Sequence, residues 1–355
     1  MSLALRTGLA CQLAASALAC APSSSPASGA PPDGAATDTS PSVPITFVPV
    51  DDAGTMRFAV PVSVNGSPTF LVTIDTGAIG LAVFESSLQG TPVTQTSTPL
   101  SITFGGDAQQ ALTWTGVEAR GVVRIGSEAT PGEIAFQLVT AASCPSFNPP
   151  CGVTSATNHG IGGNLGVGLR AAGYPTLDVY SPIAQLGAPR SDGFTVHVGG
   201  LGASQGTLVL GLPAADAGFS GIALSPDTPS SLQNGLSAWQ DGVPLCYALN
   251  GAQVVPSCSN THIDTGAEDA LVWVQEVPPQ ASSSDLGLVL EPGVTVDVTD
   301  DAGFDLRFTS GAGSADRVSF YSGGDAVSAL GLPLFFRYDV EFDIRDGRIA
   351  FAAAK

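Results

Sequence analysis

Residues 70–84 read FLVTIDTGAIGLAVF, and residues 259–273 read SNTHIDTGAEDALVW. Asp75-Thr76-Gly77-Ala78 and Asp264-Thr265-Gly266-Ala267 therefore each follow an isoleucine and lead back into apolar sequence. A lone Asp-Thr-Gly serves a surface turn through its geometry alone. The same triplet repeated in the same apolar setting argues for two carboxylates with a joint task. Held a hydrogen bond apart, two carboxylates resist ionising together, so one acts as a base while the other keeps a proton as an acid. Hydrolysis of an amide without a metal or a covalent nucleophile can use such a pair: a base for the attacking water and an acid for the departing amine. The two proton-loss steps belong to the pair rather than to either residue.

The elements that must position these acids read as strands. Phe58–Val64, a turn at Asn65-Gly66 and 69–75 form a β-hairpin pattern. Further strand patterns lie at 100–104, 121–125, 134–139, 195–198, 207–210, 293–298, 305–308 and 340–342. Helical patterns are short, at 183–186, 231–239 and 325–330. The repeat extends beyond the triplets. Leu165-Gly166-Val167-Gly168-Leu169 follows the first, and Ala329-Leu330-Gly331-Leu332-Pro333 follows the second. Gly77 and Gly266 permit a backbone turn and a close approach of two loops.

Together these features resemble the two-lobed, pepsin-like aspartic peptidases. The resemblance spans roughly 45–355 and is densest at the two triplets and in the ending 330–351. It implies an all-β, pepsin-like acid protease fold with two lobes, each a β-barrel-like sheet domain with few short helices. The lobes would be 45–200 and 201–355, changing over near 190–205. Asp75 and Asp264 would be the catalytic dyad, acting on peptide bonds through a bound water with no cofactor and no metal. Thr76 and Thr265 would lock the loops across the lobe interface. Phe104 and Gly105 would belong to a hairpin lying over a peptide substrate.

Three departures bear on activity. Ala78 and Ala267 stand where pepsins carry Ser or Thr, so two hydroxyl donors are missing and the dyad should titrate higher than usual. Phe104 replaces the usual hairpin tyrosine, and the tryptophan that commonly follows the first triplet is absent. A second reading keeps the fold and drops the chemistry: a surface lipoprotein binding a peptide or polysaccharide.

Other chemistries fit less well. His159, His197 and His262 lack metal-ligand spacing, and His262 reads as a partly buried structural residue. The run GIGGNLGVGLRAAG at 160–173 lacks nucleotide-binding spacing and setting.

Composition sets the surroundings. With 31 acidic and 12 basic residues, the formal charge of −19 disfavours nucleic acid and anionic membrane surfaces as partners. Residues 1–19 read as a secretory signal peptide, and the cut before Cys20 equally resembles a bacterial lipoprotein signal. Residues 20–44 then read as a Ser/Pro-rich tether. Cys144, Cys151, Cys246 and Cys258 are even in number, so lipidation of Cys20 leaves no odd thiol. Proximity favours the disulfides Cys144–Cys151 and Cys246–Cys258 in an oxidising compartment. The expected location is extracytoplasmic, lipid-anchored in a bacterial envelope or otherwise secreted, and two fused halves suit a monomer.

Overall fold

In the computed structural model of the protein, the structure describes residues 40–50, 55–105, 112–144, 153–156, 159–171, 178–213, 218–232, 235–254, 258–284, 287–301, 303–322 and 327–354. The signal peptide, Cys20, Cys151 and most of the 20–44 tether lie outside them. The tether does end earlier than expected, because Ser42–Pro49 is a strand with Val43 fully buried. Its alternating burial is that of a strand with one face on a core.

The described chain is mostly β. Fifteen strands form one sheet and ten form a second, and 226–231 pairs with 237–239 as a separate ribbon. Asn65 and Gly66 both take positive φ (50° and 76°) in the turn joining Met56–Val64 to Phe70–Asp75. Ser67 N–H closes this turn on Val64 O (2.9 Å), and the ladder beyond it pairs Val62 with Phe70, one residue out of step with a two-residue loop.

Two expected helices are strands instead. Within 231–239 the chain forms the end of Pro226–Ser231 and all of Ser237–Trp239, paired antiparallel. Val327–Leu330 is a strand paired with Ser259–Ile263 and Ala270–Trp273. Its small and β-branched residues gain more from two ladders of backbone hydrogen bonds than from one helical turn. Ile183–Gln185 does form a single helical turn.

The triplets sit in duplicated topology. In the larger sheet Ile161–Val167 runs parallel to Phe70–Asp75 and antiparallel to Ile79–Phe84, filling the space between them. In the smaller sheet Val327–Leu330 runs parallel to Ser259–Ile263 and antiparallel to Ala270–Trp273. Each triplet therefore lies in the turn leaving one strand and entering another, with a third strand threaded between the two. That thread must be slim. A Cβ on Gly166 would come within 2.6 Å of the Ile79 carbonyl carbon, and one on Gly331 within 2.2 Å of the Asp269 carbonyl oxygen.

The last strands return to the larger sheet. Tyr338–Asp343 pairs with Gly193–His197, which pairs with Gln205–Leu210, and that strand pairs with Ser42–Pro49. Residues 193–210, where the sequence pattern changes over, thus lie between the first and last strands of the compact unit formed by 40–355. The short helix Leu332–Phe335 docks below the second triplet through Leu332 N–H on the Ala267 carbonyl (3.1 Å). Phe58 meets Phe335 and Phe336 edge-on, at centroid distances of 6.4 and 5.7 Å. This aromatic contact joins the first hairpin to the floor of the second triplet. Among the described residues no helix is long and apolar enough to cross a membrane.

Candidate active site

The two triplets meet. Thr76 N–H donates to Thr265 Oγ1 (3.0 Å), and Thr265 N–H donates to Thr76 Oγ1 (2.9 Å). Each hydroxyl donates in turn to the strand opposite, Thr76 Oγ1 to Ile263 O (2.7 Å) and Thr265 Oγ1 to Ile74 O (2.8 Å). Both threonines are buried, so four backbone groups that water cannot reach are satisfied by two side chains. A serine or threonine is required at each position, since the group must donate and accept at once.

This exchange brings the carboxylates of Asp75 and Asp264 together around one shared backbone donor. Gly77 N–H is shared between Asp75 Oδ1 (3.0 Å) and Asp264 Oδ1 (3.1 Å), and Gly266 N–H donates to Asp264 Oδ1 (2.7 Å). The glycines are needed for proximity. A Cβ on Gly77 would lie 2.5 Å from the Asp264 carboxyl carbon, and one on Gly266 would lie 2.6 Å from that of Asp75. Neither glycine has a left-handed φ, so close approach rather than turn conformation excludes a side chain here.

Burial, then the neighbouring Asp264 charge, push Asp75 up to about 7. Asn164 Nδ2 donates to Asp75 Oδ2 (2.9 Å) and offsets part of this. Burial also raises Asp264, against the Gly266 N–H that favours its charged form. The pair consequently retains a proton well above the usual carboxylate range. Desolvation is the largest cause of both shifts, and Ala78 and Ala267 bring no hydroxyl to the carboxylates. Those alanines serve the backbone instead: Ala78 O accepts Gly168 N–H (2.8 Å) and Ala267 O accepts Leu332 N–H (3.1 Å).

Several residues at the site carried no signal in the sequence reading. Asn164 is a lone amide in the apolar run Ile161–Val167, and its place in the thread opposite Thr73 brings it to the carboxylate. Arg57 donates to Gly266 O and pairs with Glu268. Arg170 donates to Gly77 O (2.8 Å) and to Asp241 Oδ2 (3.0 Å). Only 12 residues of the chain are lysine or arginine, and a scarce arginine directly before the strand pattern 58–64 was the available clue to Arg57. His262 Nε2 lies 3.6 Å from Asp241 Oδ1, and burial lowers its pKa. It is a partly buried residue of strand 259–263, as its sequence setting suggested.

Thr94–Phe104 pairs with Leu112–Gly121 as a hairpin, and residues 106–111 lie outside the described set. Gly105 has φ +93°, a conformation that favours glycine. The Phe104 ring sits edge-on to Trp114 at 4.8 Å, and Trp114 lies 4.7 Å from Phe84. Trp114 Nε1 is anchored on Val153 O (2.9 Å). Phe104 thus belongs to an aromatic group with Trp114, a partner the sequence did not suggest. The Cys246–Cys258 disulfide is present, while the pairing of Cys144 with Cys151 reaches outside the described residues. No family model matches this chain, and no curated protein matches it significantly.

Proposed function

We propose that the protein is an aspartic-type endopeptidase with Asp75 and Asp264 as its acid/base pair. The observation that carries this reading is the pair of carboxylates that share the Gly77 N–H, in loops held together by reciprocal threonine bonds. In the reaction, the ionised carboxylate takes a proton from water while the water oxygen attacks the scissile carbonyl carbon. The protonated partner gives its proton to the carbonyl oxygen. The tetrahedral intermediate then collapses as the dyad returns a proton to the departing amine. An extended peptide is the substrate class, bound chiefly through its backbone and apolar side chains. The duplicated threading of the two sheets supports a two-lobed, pepsin-like arrangement, and it makes a single chain sufficient for the dyad. The leader and Cys20 support an extracytoplasmic, lipid-anchored protein.

A second reading, a surface protein that binds a peptide or polysaccharide without cleaving it, is favoured by Phe104, which has no hydroxyl and is packed on Trp114. The purified protein should be offered a mixed peptide library from pH 3 to 7, alongside Asp75→Asn and Asp264→Asn. Cleavage by the parent that disappears in both variants establishes the dyad. A folded parent that cleaves nothing at any pH leaves the binding reading.

A further inference from the structure

Each aspartate loop turns on a glycine, and a glycine flanked by free peptides is the most pliant link a loop can have. Here neither glycine is free. The peptide before each one is held through its N–H, which donates to carboxylate oxygens of the dyad. The peptide after each one is held through its carbonyl, and both carbonyls end on an arginine: Gly266 O on Arg57, Gly77 O on Arg170. Arginine suits this task because its rigid fork can hold a carbonyl and a carboxylate at once. Arg57 uses the fork for Gly266 O and Glu268, and Arg170 uses it for Gly77 O and Asp241.

The two arginines differ in what surrounds them. Arg170 is tied to Asp241, which is nearly buried, and His262 stands on the other side of that carboxylate. Glu268, the partner of Arg57, is shared with Arg317 (3.6 Å), and Arg317 also faces Asp269 (3.4 Å). One carboxylate therefore serves two guanidinium groups beside the second loop. Asp269 supplies a second carboxylate, so this cluster holds two guanidinium groups against two carboxylates. Arg57, whose guanidinium reaches Gly266 O, favours ionisation of both Asp75 and Asp264 through its charge.

We propose that Arg57 is a positioning residue that pins the second aspartate loop through Gly266 O and, opposed by its counter-charge Glu268, sets the pH at which the dyad ionises. The proposal rests on the reading of Asp75 and Asp264 as an acid/base pair, but its test does not need turnover. The full-length protein, labelled with ¹³C at the aspartate carboxyl carbons, is titrated by NMR. The dyad signals are identified as those lost in Asp75→Asn and Asp264→Asn. Arg57→Gln should move the dyad titration up by ~0.5–1 pH unit, as loss of a nearby positive charge requires. Glu268→Gln should move it down, because it frees Arg57 from its counter-charge. Arg57→Lys keeps the charge and should restore most of the wild-type titration, while Arg345→Gln, an exposed arginine, should leave it in place. A peptide-cleavage pH profile would shift in the same directions.

A loop merely loosened by substitution would move the titration the same way in Arg57→Gln and Glu268→Gln, and that result overturns the proposal. So does an Arg57→Gln titration that coincides with wild type. If Arg57→Gln does not fold, Glu268→Gln decides alone, with a downward shift in support and no shift or an upward one against. Absence of peptide cleavage would count against the peptidase reading and leave this test intact.

Discussion

The two aspartate loops share a backbone plan and differ in their polar surroundings. Both sit between strands straddled by a third, and both present Asp, Thr and Gly in the same order. At the matching place in the threaded strand, however, the first loop has Asn164 opposite Thr73, and the second has Ala329 opposite His262. Asp75 therefore receives a side-chain amide, while Asp264 relies on the N–H groups of Gly266 and Gly77. The hairpins leading in also differ. Asn65-Gly66 closes the first tightly, whereas the strands 242–249 and 259–263 are stapled by Cys246–Cys258 directly beyond their paired ends. Duplicated topology makes the loops meet, and unequal neighbours allow two chemically identical acids to take different parts.

The comparison is broken most severely at the acids themselves. Asp75→Asn or Asp264→Asn should lower kcat/KM for peptide cleavage by ~10³-fold or more, because an amide can neither accept nor hold the proton the reaction moves. Equal loss in both variants would show that the loops act as one unit. The same variants carry a stability consequence. Asp75 binds its proton more tightly in the folded state, about 7 against 3.8. The native state thus holds more protons than the unfolded one between these values, and stability falls as pH rises through that window. Asp75→Asn removes this dependence, so its thermal midpoint should exceed that of the parent at pH 7.5 and approach it at pH 3.

Smaller changes sharpen the contrast. Thr76→Val orphans Ile263 O and Thr265 N–H, and Thr265→Val orphans Ile74 O and Thr76 N–H. Each should cost about 1–3 kcal/mol per orphaned group in denaturant unfolding. The double variant should lose less than the sum, since the bonds form one network. Reduction of Cys246–Cys258, which spans a sequence separation of 12, should cost about 2–3 kcal/mol. No comparable staple supports the Asn65-Gly66 turn. The finest test exchanges the neighbours: Asn164→Ala should raise the upper step of the dyad titration by a fraction of a pH unit, as it removes a donor to Asp75. Ala329→Asn places an amide at the corresponding position of the second loop and should lower the titration. Failure of both to move it would mean that the loops are polar equivalents after all.

The sequence by itself determined the local plan. Alternation and β-branched content marked strands such as Met56–Val64, Ile134–Ser143 and Tyr338–Asp343, Asn65-Gly66 marked the first turn, and the repeated Asp-Thr-Gly-Ala marked both loops, because these signals depend on neighbours in the chain. The same local view failed at 231–239 and 327–330, where apolar spacing suited a helix and the pairing available in the folded chain chose strands. Tertiary structure alone decided what surrounds the acids. Asn164, Arg57 and Arg170 reach the site from strands and turns far from the triplets in sequence, and Trp114 finds Phe104 across a hairpin. A hydrogen bond or an electrostatic field depends on distance in space, and a sequence pattern records only distance along the chain.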